Sequence, residues 1–145
     1  MGSKKKQIDK DRLNSETQGL FAKGYNCAEA MVFGLVTVLD GDTNLVKLAT
    51  PFGAGIGGRR DLCGILTGGE LIIGSLYGRT DPRDSDQKKL AYEKSAAYYR
   101  WFKQEKKKIH CNEIVTGKFS GHTEDCVQLM KEAQSRLAEI IEESS

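Results

Sequence analysis

A glycine-rich stretch in the middle of the chain, residues 51–78, constrains the fold more than any other segment. It reads PFGAGIGGRRDLCGILTGGELIIGSLYG, and from Ile65 to Leu76 apolar residues occupy nearly every face of a helix. A helix that is apolar all round belongs inside a bundle. Each glycine costs about 1 kcal/mol relative to alanine in a helix interior, so close approach of a neighbouring backbone has to compensate. The stretch therefore predicts a buried central helix that ends near Gly78.

The small residues of this helix fall close to one line when they are projected at 100° per residue. They are Gly64, Gly68, Ser75 and Gly78. We expect this small-residue groove to receive another backbone closely. If the protein is only an interaction module, the groove would serve self-association, and a homodimer is then the expected assembly.

The rest of the chain shows the spacing, caps and breakers of helices, and no convincing strand. The fold class predicted is all-α, a compact single-domain helical bundle of about five or six helices around the buried Gly-rich central helix. In the long helix predicted to end at residue 107, the inner face is expected to comprise Leu90, Ala91, Ala97, Tyr98, Trp101 and Phe102. The main predicted helices are residues 6–23, 27–39 after Asn26, the central helix capped by Asp61, a helix from Asp84 or Ser85 to residue 107, and a last helix capped by Thr123. A short helix at residues 43–49 and a short helical turn at residues 111–115 are also predicted.

Length and charge limit the classes of function. At 145 residues, the chain has the size of one domain. It carries 22 basic and 20 acidic residues, so a nucleic-acid partner is not implied. The longest apolar run, residues 30–39, falls short of the ~20 residues that cross a bilayer, and no signal peptide is recognised. We expect a cytoplasmic protein with no membrane partner and with residues 1–6 as a flexible tail.

The chain contains four cysteines, which in a reducing compartment are more often ligands or redox groups than structural disulfides. All four fall in the first turn of a predicted helix, where unpaired N–H groups favour a thiolate. Arg59 and Arg60 would add positive charge near Cys63. The cysteines are Cys27 after Asn26, Cys63 two residues after Asp61, Cys111 at the start of a short helix, and Cys126 three residues after Thr123.

The spacing of the cysteines leaves their chemistry open. No CxxC occurs, so a thioredoxin-type pair and a zinc ribbon are excluded. Buried cysteines are also common as small hydrophobic residues, and any of the four could simply pack. An iron–sulfur cluster, a dithiol couple and a structural zinc site all remain, provided that the fold brings the sulfurs together.

A glycine loop, residues 53–60, precedes Cys63 and contains the letters GxGxxG. A helical segment and Pro51 come before it, whereas a dinucleotide-binding loop follows a strand. The loop could instead present backbone N–H groups to a thiolate, a cluster or a small anion. The candidate cofactor-binding residues are therefore Gly55, Gly57, Gly58, Arg59 and Gly64.

Other polar residues have simpler interpretations. His110 and His122 flank two of the cysteines and could be metal ligands, but exposed loop histidines are expected. Glu70 could serve a site or pair with Arg79. Most of the aromatic residues at helical spacing are expected in the core; they are Tyr92, Tyr98, Tyr99, Trp101 and Phe102.

Five blocks of the sequence resemble, in order, those of the four-cysteine redox-active family labelled C_GCAxxG_C_C. The chain departs from the family at Ile65, where alanine is expected. The blocks are GYNCAEA (24–30), FGAGIGGRRDLCGILTGG (52–69), YGRTDPRD (77–84), HCNEI (110–114) and DCVQLMKEA (125–133).

The resemblance implies one small helical domain over residues 1–145, with Cys27, Cys63, Cys111 and Cys126 as catalytic or metal-binding positions. Similar domains occur beside electron-transfer domains, and one in a split-Soret type cytochrome looks like an iron–sulfur carrier. The leading hypothesis is a redox-active protein whose cysteines hold an iron–sulfur or other metal cluster, or cycle between thiol and disulfide with an unknown redox partner protein. The alternatives are a noncatalytic interaction module and a structural zinc site.

Overall fold

Seven α-helices make up the fold in the computed structural model, which describes residues 7–115 and 124–143. Two of the helices are single turns, and two 3₁₀ turns flank α3, so the all-α prediction is confirmed. The predicted tail, His122 and the Thr123 cap lie outside the described residues. The helices are α1 (Lys10–Ala22), α2 (Cys27–Val38), α3 (Val46–Ala49), α4 (Gly64–Tyr77), α5 (Ser85–Lys106), α6 (Cys111–Ile114) and α7 (Glu124–Glu142).

Helix α4 is the buried central helix that the glycine-rich stretch predicts. It packs against α2, α5 and α7. A Cβ added at Gly68 would lie 2.9 Å from the Ala28 carbonyl oxygen of α2, and one at Gly69 would lie 2.4 Å from the ring of Tyr98 in α5. Ser75 and Gly78 are exposed. The small-residue groove therefore receives α2 of the same chain at its first half and does not continue along the helix.

Side-chain caps fix where several helices begin. Asn26 and Glu29 form a reciprocal capping box at the start of α2, and the Asp84 side chain accepts the Gln87 N–H at the start of α5. The predicted Asp61 cap of α4 is wrong, because the helix begins at Gly64 and Cys63 is the N-cap residue. Asp61 pairs through its backbone with the segment before α6 instead: its carbonyl oxygen accepts the Cys111 N–H at 2.6 Å.

A buried polar contact fixes α7 against the first two helices. The fully buried amide of Gln134 donates to Thr17 Oγ1 and to the Met31 carbonyl oxygen, each at 3.0 Å. Gly34 leaves room for Thr17, since a Cβ there would lie 2.3 Å from the threonine hydroxyl. A buried amide needs such partners, so the contact sets the position of α7 and of Cys126 near its start.

Helix α5 covers α4 with only part of its predicted inner face. Tyr98 and Phe102 are fully buried, whereas the other four predicted positions are partly buried. Tyr92 and Tyr99 are 65% and 38% exposed, so the predicted aromatic core is smaller than expected. In the part of the chain that the structure describes, no helix has both the length and the apolar character needed to cross a membrane.

Candidate functional site

The four cysteines lie at helix beginnings, and the fold gathers them around Cys27. Cys27 is the first residue of α2, Cys63 precedes α4, Cys111 is the first residue of α6, and Cys126 is the third residue of α7. All four are thiols; Cys27 is partly exposed and the other three are buried. Burial raises the pKa of Cys27 and of Cys63 most; in addition, Cys126 and Cys111 raise the pKa of Cys27, and Cys27 and Cys126 raise that of Cys63. The thiols are therefore close enough for their charges to interact.

The chain segments that carry Cys63 and Cys111 are joined by their backbones. Leu62 and His110 form an isolated antiparallel bridge. On its two sides, the Cys63 N–H donates to the Ile109 carbonyl oxygen at 2.8 Å and the Cys111 N–H donates to Asp61. This pairing holds two of the cysteine-bearing helix starts side by side although they are far apart in sequence.

The sulfur of Cys27 lies against the first turn of α4. A Cβ added at Gly64 would come within 2.5 Å of Cys27 Sγ and 3.2 Å of the Ala28 backbone nitrogen. Of the predicted cofactor-binding residues, Gly64 is thus the one that directly contacts a cysteine. Its missing side chain is what lets the starts of α2 and α4 meet.

Burial raises the pKa of the two thiols on these helices. The pKa of Cys27 rises from an ordinary 9.0 to about 11, and that of Cys63 to about 12. The N–H groups of Ala54 and Ala28 lower the pKa of Cys27, and those of Ile65 and Leu66 lower the pKa of Cys63. The Cys63 side chain makes no capping hydrogen bond to α4. The expectation that helix N-termini favour thiolates is therefore wrong for these two residues, because desolvation outweighs the N–H groups.

The glycine loop is a left-handed turn. Residues 54–58 all have positive φ, including the non-glycine residues Ala54 at 50° and Ile56 at 67°. Gly55 is buried, and a Cβ there would lie 2.4 Å from the Asp61 nitrogen. Gly57 and Gly58 are exposed, with nothing within 4 Å of an added Cβ. The loop turns the chain back toward α4 and directs the Ala54 N–H to Cys27.

A hydrogen-bonded network joins the start of α2 to the residues before this loop. Thr50 Oγ1 donates to Glu29 Oε2 at 2.6 Å, and the other Glu29 oxygen accepts the Asn26 N–H at 2.9 Å. Asn26 Nδ2 donates to the Thr50 carbonyl oxygen at 3.2 Å. Asn26 was predicted as a cap from the sequence, but Glu29 was not, although Asn followed three residues later by Glu resembles a capping box. No local signal points to Thr50.

The arginines and the histidine that the sequence places near the cysteines have different surroundings in the structure. Arg59 is exposed, whereas the Arg60 guanidinium donates to the Cys111 carbonyl oxygen at 3.4 Å and to that of Val115. Positive charge from Arg60 therefore lies beside the Cys111 segment. His110 lies 3.0 Å from a Glu113 carboxylate oxygen, so it is a partnered histidine at the bridge.

Tyr98 lies near both Cys63 and Glu70. Glu70 accepts a hydrogen bond from Ser95, and burial raises its pKa; the expected partner Arg79 donates to the Pro82 carbonyl oxygen instead. The buried Tyr98 hydroxyl donates to the Ile65 carbonyl oxygen at 2.8 Å. Burial, with Cys63 and Glu70 nearby, raises the pKa of Tyr98. Helical spacing predicted Tyr98 as a core residue, but its proximity to Cys63 could not be predicted from that spacing.

Comparison with known proteins identifies the family. The family model described as "Putative redox-active protein (C_GCAxxG_C_C)" matches residues 25–140, a span that contains all four cysteines. The chain belongs to the C_GCAxxG_C_C family. The resemblance of the five sequence blocks is thereby confirmed. No curated protein and no solved structure matches the chain.

Membership of the C_GCAxxG_C_C family supports a redox role in general terms and names neither cofactor nor partner. A metal site requires several ligands arranged around one point. Within residues 7–115 and 124–143, no group of three or more His, Cys, Asp or Glu is arranged to hold a metal ion. The cysteines as they stand are near one another without forming a ligand set.

Proposed function

We propose that this protein is a thiol–disulfide redox protein in which Cys27 reacts with a partner and Cys63 completes the exchange. The single observation that carries the proposal is the gathering of the cysteines around Cys27, the partly exposed thiol whose titration is coupled to the other three. A partner can approach Cys27 because the residue is partly exposed, while a second thiol nearby can resolve the product.

The exchange requires a partner that carries a disulfide. The Cys27 thiolate attacks one sulfur of that disulfide; a bond forms between the two sulfurs, and the other partner sulfur leaves as a thiolate. The Cys63 thiolate then attacks Cys27 Sγ, which forms the Cys27–Cys63 disulfide and releases the first partner sulfur. The protein gives up two electrons, and the two protons from its thiols end on the partner.

Backbone groups support each thiolate when it forms. The Ala54 and Ala28 N–H groups lower the pKa of Cys27, and those of Ile65 and Leu66 lower that of Cys63. Repulsion from Cys27 also raises the pKa of Cys63. A mixed disulfide on Cys27 has no charge, so this repulsion ends at the moment when Cys63 has to react.

An iron–sulfur cluster or a zinc ion fits the described residues less well. Among these residues, neither has three His, Cys, Asp or Glu side chains arranged around one point, so the proposed exchange uses cysteine thiols alone. The redox titration described next is accompanied by a check for bound iron or zinc, which tests the metal site directly.

The experiment is a redox titration of anaerobically purified protein. Reduced protein is equilibrated with graded ratios of reduced to oxidised dithiothreitol, the remaining thiols are alkylated in acid-quenched samples, and the disulfide is mapped by peptide mass spectrometry. We expect two thiols to disappear together and the disulfide to join Cys27 to Cys63. Cys27→Ser should abolish it, whereas Cys111→Ser, which leaves the pair intact, should retain it.

Three results would contradict the proposal. Four thiols that remain at every ratio would indicate cysteines that only pack. A disulfide that excludes Cys27 would contradict the assigned roles. Bound iron with visible absorption, or one bound zinc per chain, in the protein as purified would favour the metal site.

A further inference from the structure

The Ala54 N–H lies near enough to Cys27 to lower the pKa of its thiol, and Ala54 has a backbone conformation that alanine rarely adopts. Ala54 has φ of 50°, and Ile56, two residues later, has φ of 67°. The left-handed region costs an ordinary L-residue about 1 kcal/mol or more. Such a conformation persists only when the surrounding contacts hold it. The contacts that hold the start of this loop therefore determine whether the N–H faces the sulfur.

Backbone hydrogen bonds within the loop supply part of this support, such as that from the Arg60 N–H to the Ala54 carbonyl oxygen at 2.8 Å. At its start the loop is also held by the residues that begin α2. Gly53 lies directly on the Asn26 side chain, since an added Cβ would be 2.3 Å from the amide nitrogen. The same amide donates to the Thr50 carbonyl oxygen, and the Thr50 hydroxyl donates to Glu29 at 2.6 Å. One ring of hydrogen bonds thus joins the helix that carries Cys27 to the residues that lead into the loop.

The Thr50 hydroxyl is needed neither for the hydrophobic core nor for the cap of α2. Thr50 is exposed, so its side chain adds little to the core. The capping box of α2 needs only Asn26 and Glu29, because the bond from Thr50 falls on the second carboxylate oxygen. The hydroxyl therefore links the already formed cap to the loop.

We propose that Thr50 and Glu29 are positioning residues that hold the loop so that the Ala54 N–H points at the Cys27 sulfur, and that they thereby set how fast Cys27 reacts as a nucleophile. The proposal deepens the proposed function, on which it rests, by naming residues that prepare the attacking thiol. Both residues act on the thiol through Ala54.

The test compares Thr50→Val with Thr50→Ser. Valine has nearly the shape of threonine but no hydroxyl, whereas serine keeps the hydroxyl. Reduced protein is treated with iodoacetamide at one pH, and the alkylation rate of each cysteine is followed by peptide mass spectrometry. A hydrogen bond to a charged group is a strong one, so we expect Cys27 to react about tenfold more slowly in Thr50→Val. Thr50→Ser should react within about twofold of the unmodified protein.

The other cysteines serve as an internal control. Cys63 and Cys111 should keep their rates in both variants. If Thr50 were only structural, Thr50→Val would loosen the site and Cys27 would react faster, together with its neighbours. Either that result or an unchanged Cys27 rate would overturn the proposal.

Glu29→Gln provides a second variant at the other end of the contact. Glutamine can still accept the Asn26 N–H, so the cap of α2 should survive while the charged acceptor for Thr50 is lost. We expect slower alkylation of Cys27 here too, and an unchanged rate would contradict the role of Glu29. Alkylation is measured on reduced protein, so it reports on the positioning residues even if the redox titration finds no disulfide.

Discussion

The sulfur of Cys27 rests on the backbone of Gly64, so closely that a Cβ on Gly64 would come within 2.5 Å of it. Gly64 directly follows Cys63 and is the first residue of α4. A hydrogen atom in place of a side chain thus decides whether the two cysteine-bearing helix starts can meet. This contact connects the glycines of the central helix, a feature of the fold, with the grouping of the thiols.

Gly64→Ala should destabilise the protein although alanine favours helices. The new methyl group would press on Cys27 Sγ, the Phe52 carbonyl oxygen and the Ala28 nitrogen, and two of these three atoms belong to the backbone. Overpacking of this kind costs about 1–3 kcal/mol. We expect the free energy of unfolding to fall by about 1–2 kcal/mol in urea denaturation.

Gly74→Ala is the matched control in the same helix. Gly74 is exposed and an added Cβ there meets nothing within 4 Å. The substitution should therefore stabilise the protein by about 0.5–1 kcal/mol through helix propensity alone. Equal effects of the two substitutions would show that the contact with Cys27 has no energetic weight.

Gly55→Ala and Gly57→Ala should separate the two kinds of glycine in the loop. Gly55 has φ of 74°, and an added Cβ would lie 2.4–2.6 Å from backbone atoms of Arg60 and Asp61, which cannot move aside. Gly57 has φ of 56° but open space around it. We expect Gly55→Ala to cost about 2–4 kcal/mol and Gly57→Ala about 1 kcal/mol in thermal or urea unfolding. Similar losses at both sites would mean that φ alone matters.

Much of the helical fold could be predicted because its signals are local. Asn26 and Asp84 cap the helices that their sequence contexts predict, and the apolar faces of α4 identify it as the central helix. Gly64 and Gly68 were expected to admit a backbone, and they do. Sequence could not say that this backbone is α2 of the same chain, because only the tertiary fold determines it.

The start of α4 and the character of the thiols depended on contacts that are distant in sequence. Asp61 is a good cap locally, but its backbone pairs with the Cys111 segment, and the helix begins later. The pKa of Cys63 depends on burial, which outweighs the local N–H groups that the sequence suggested. The left-handed conformation of Ala54 opposes local propensity, and it is accompanied by a backbone hydrogen bond from Arg60 and by the contact of Gly53 with Asn26 of the α2 cap.

Tyr98→Phe should show what the buried hydroxyl beside the cysteines contributes. The hydroxyl donates to the Ile65 carbonyl oxygen at 2.8 Å, and the ring is fully buried. Loss of such a bond costs about 1 kcal/mol, which we expect as a fall in the free energy of urea unfolding. Tyr99→Phe, next along α5 and 38% exposed, should change it by less than about 0.5 kcal/mol. A Tyr98→Phe variant as stable as the Tyr99→Phe variant would contradict the prediction.

The raised pKa values of the thiols should make the reduced protein less stable in alkali. In the unfolded chain a cysteine loses its proton near the ordinary pKa of 9.0, whereas in the folded protein Cys27 and Cys63 keep theirs to about 11 and about 12. Above pH 9.0 the unfolded state therefore binds fewer protons than the folded state, and the free energy of unfolding falls as the pH rises. Urea denaturation under reducing conditions from about pH 8 to about pH 11 measures this slope. Other groups also titrate there, so the informative quantity is the difference from Cys63→Ser, in which that thiol is absent. We expect the variant to lose less stability than the unmodified protein over the same range; parallel curves would mean that burial does not hold the Cys63 proton.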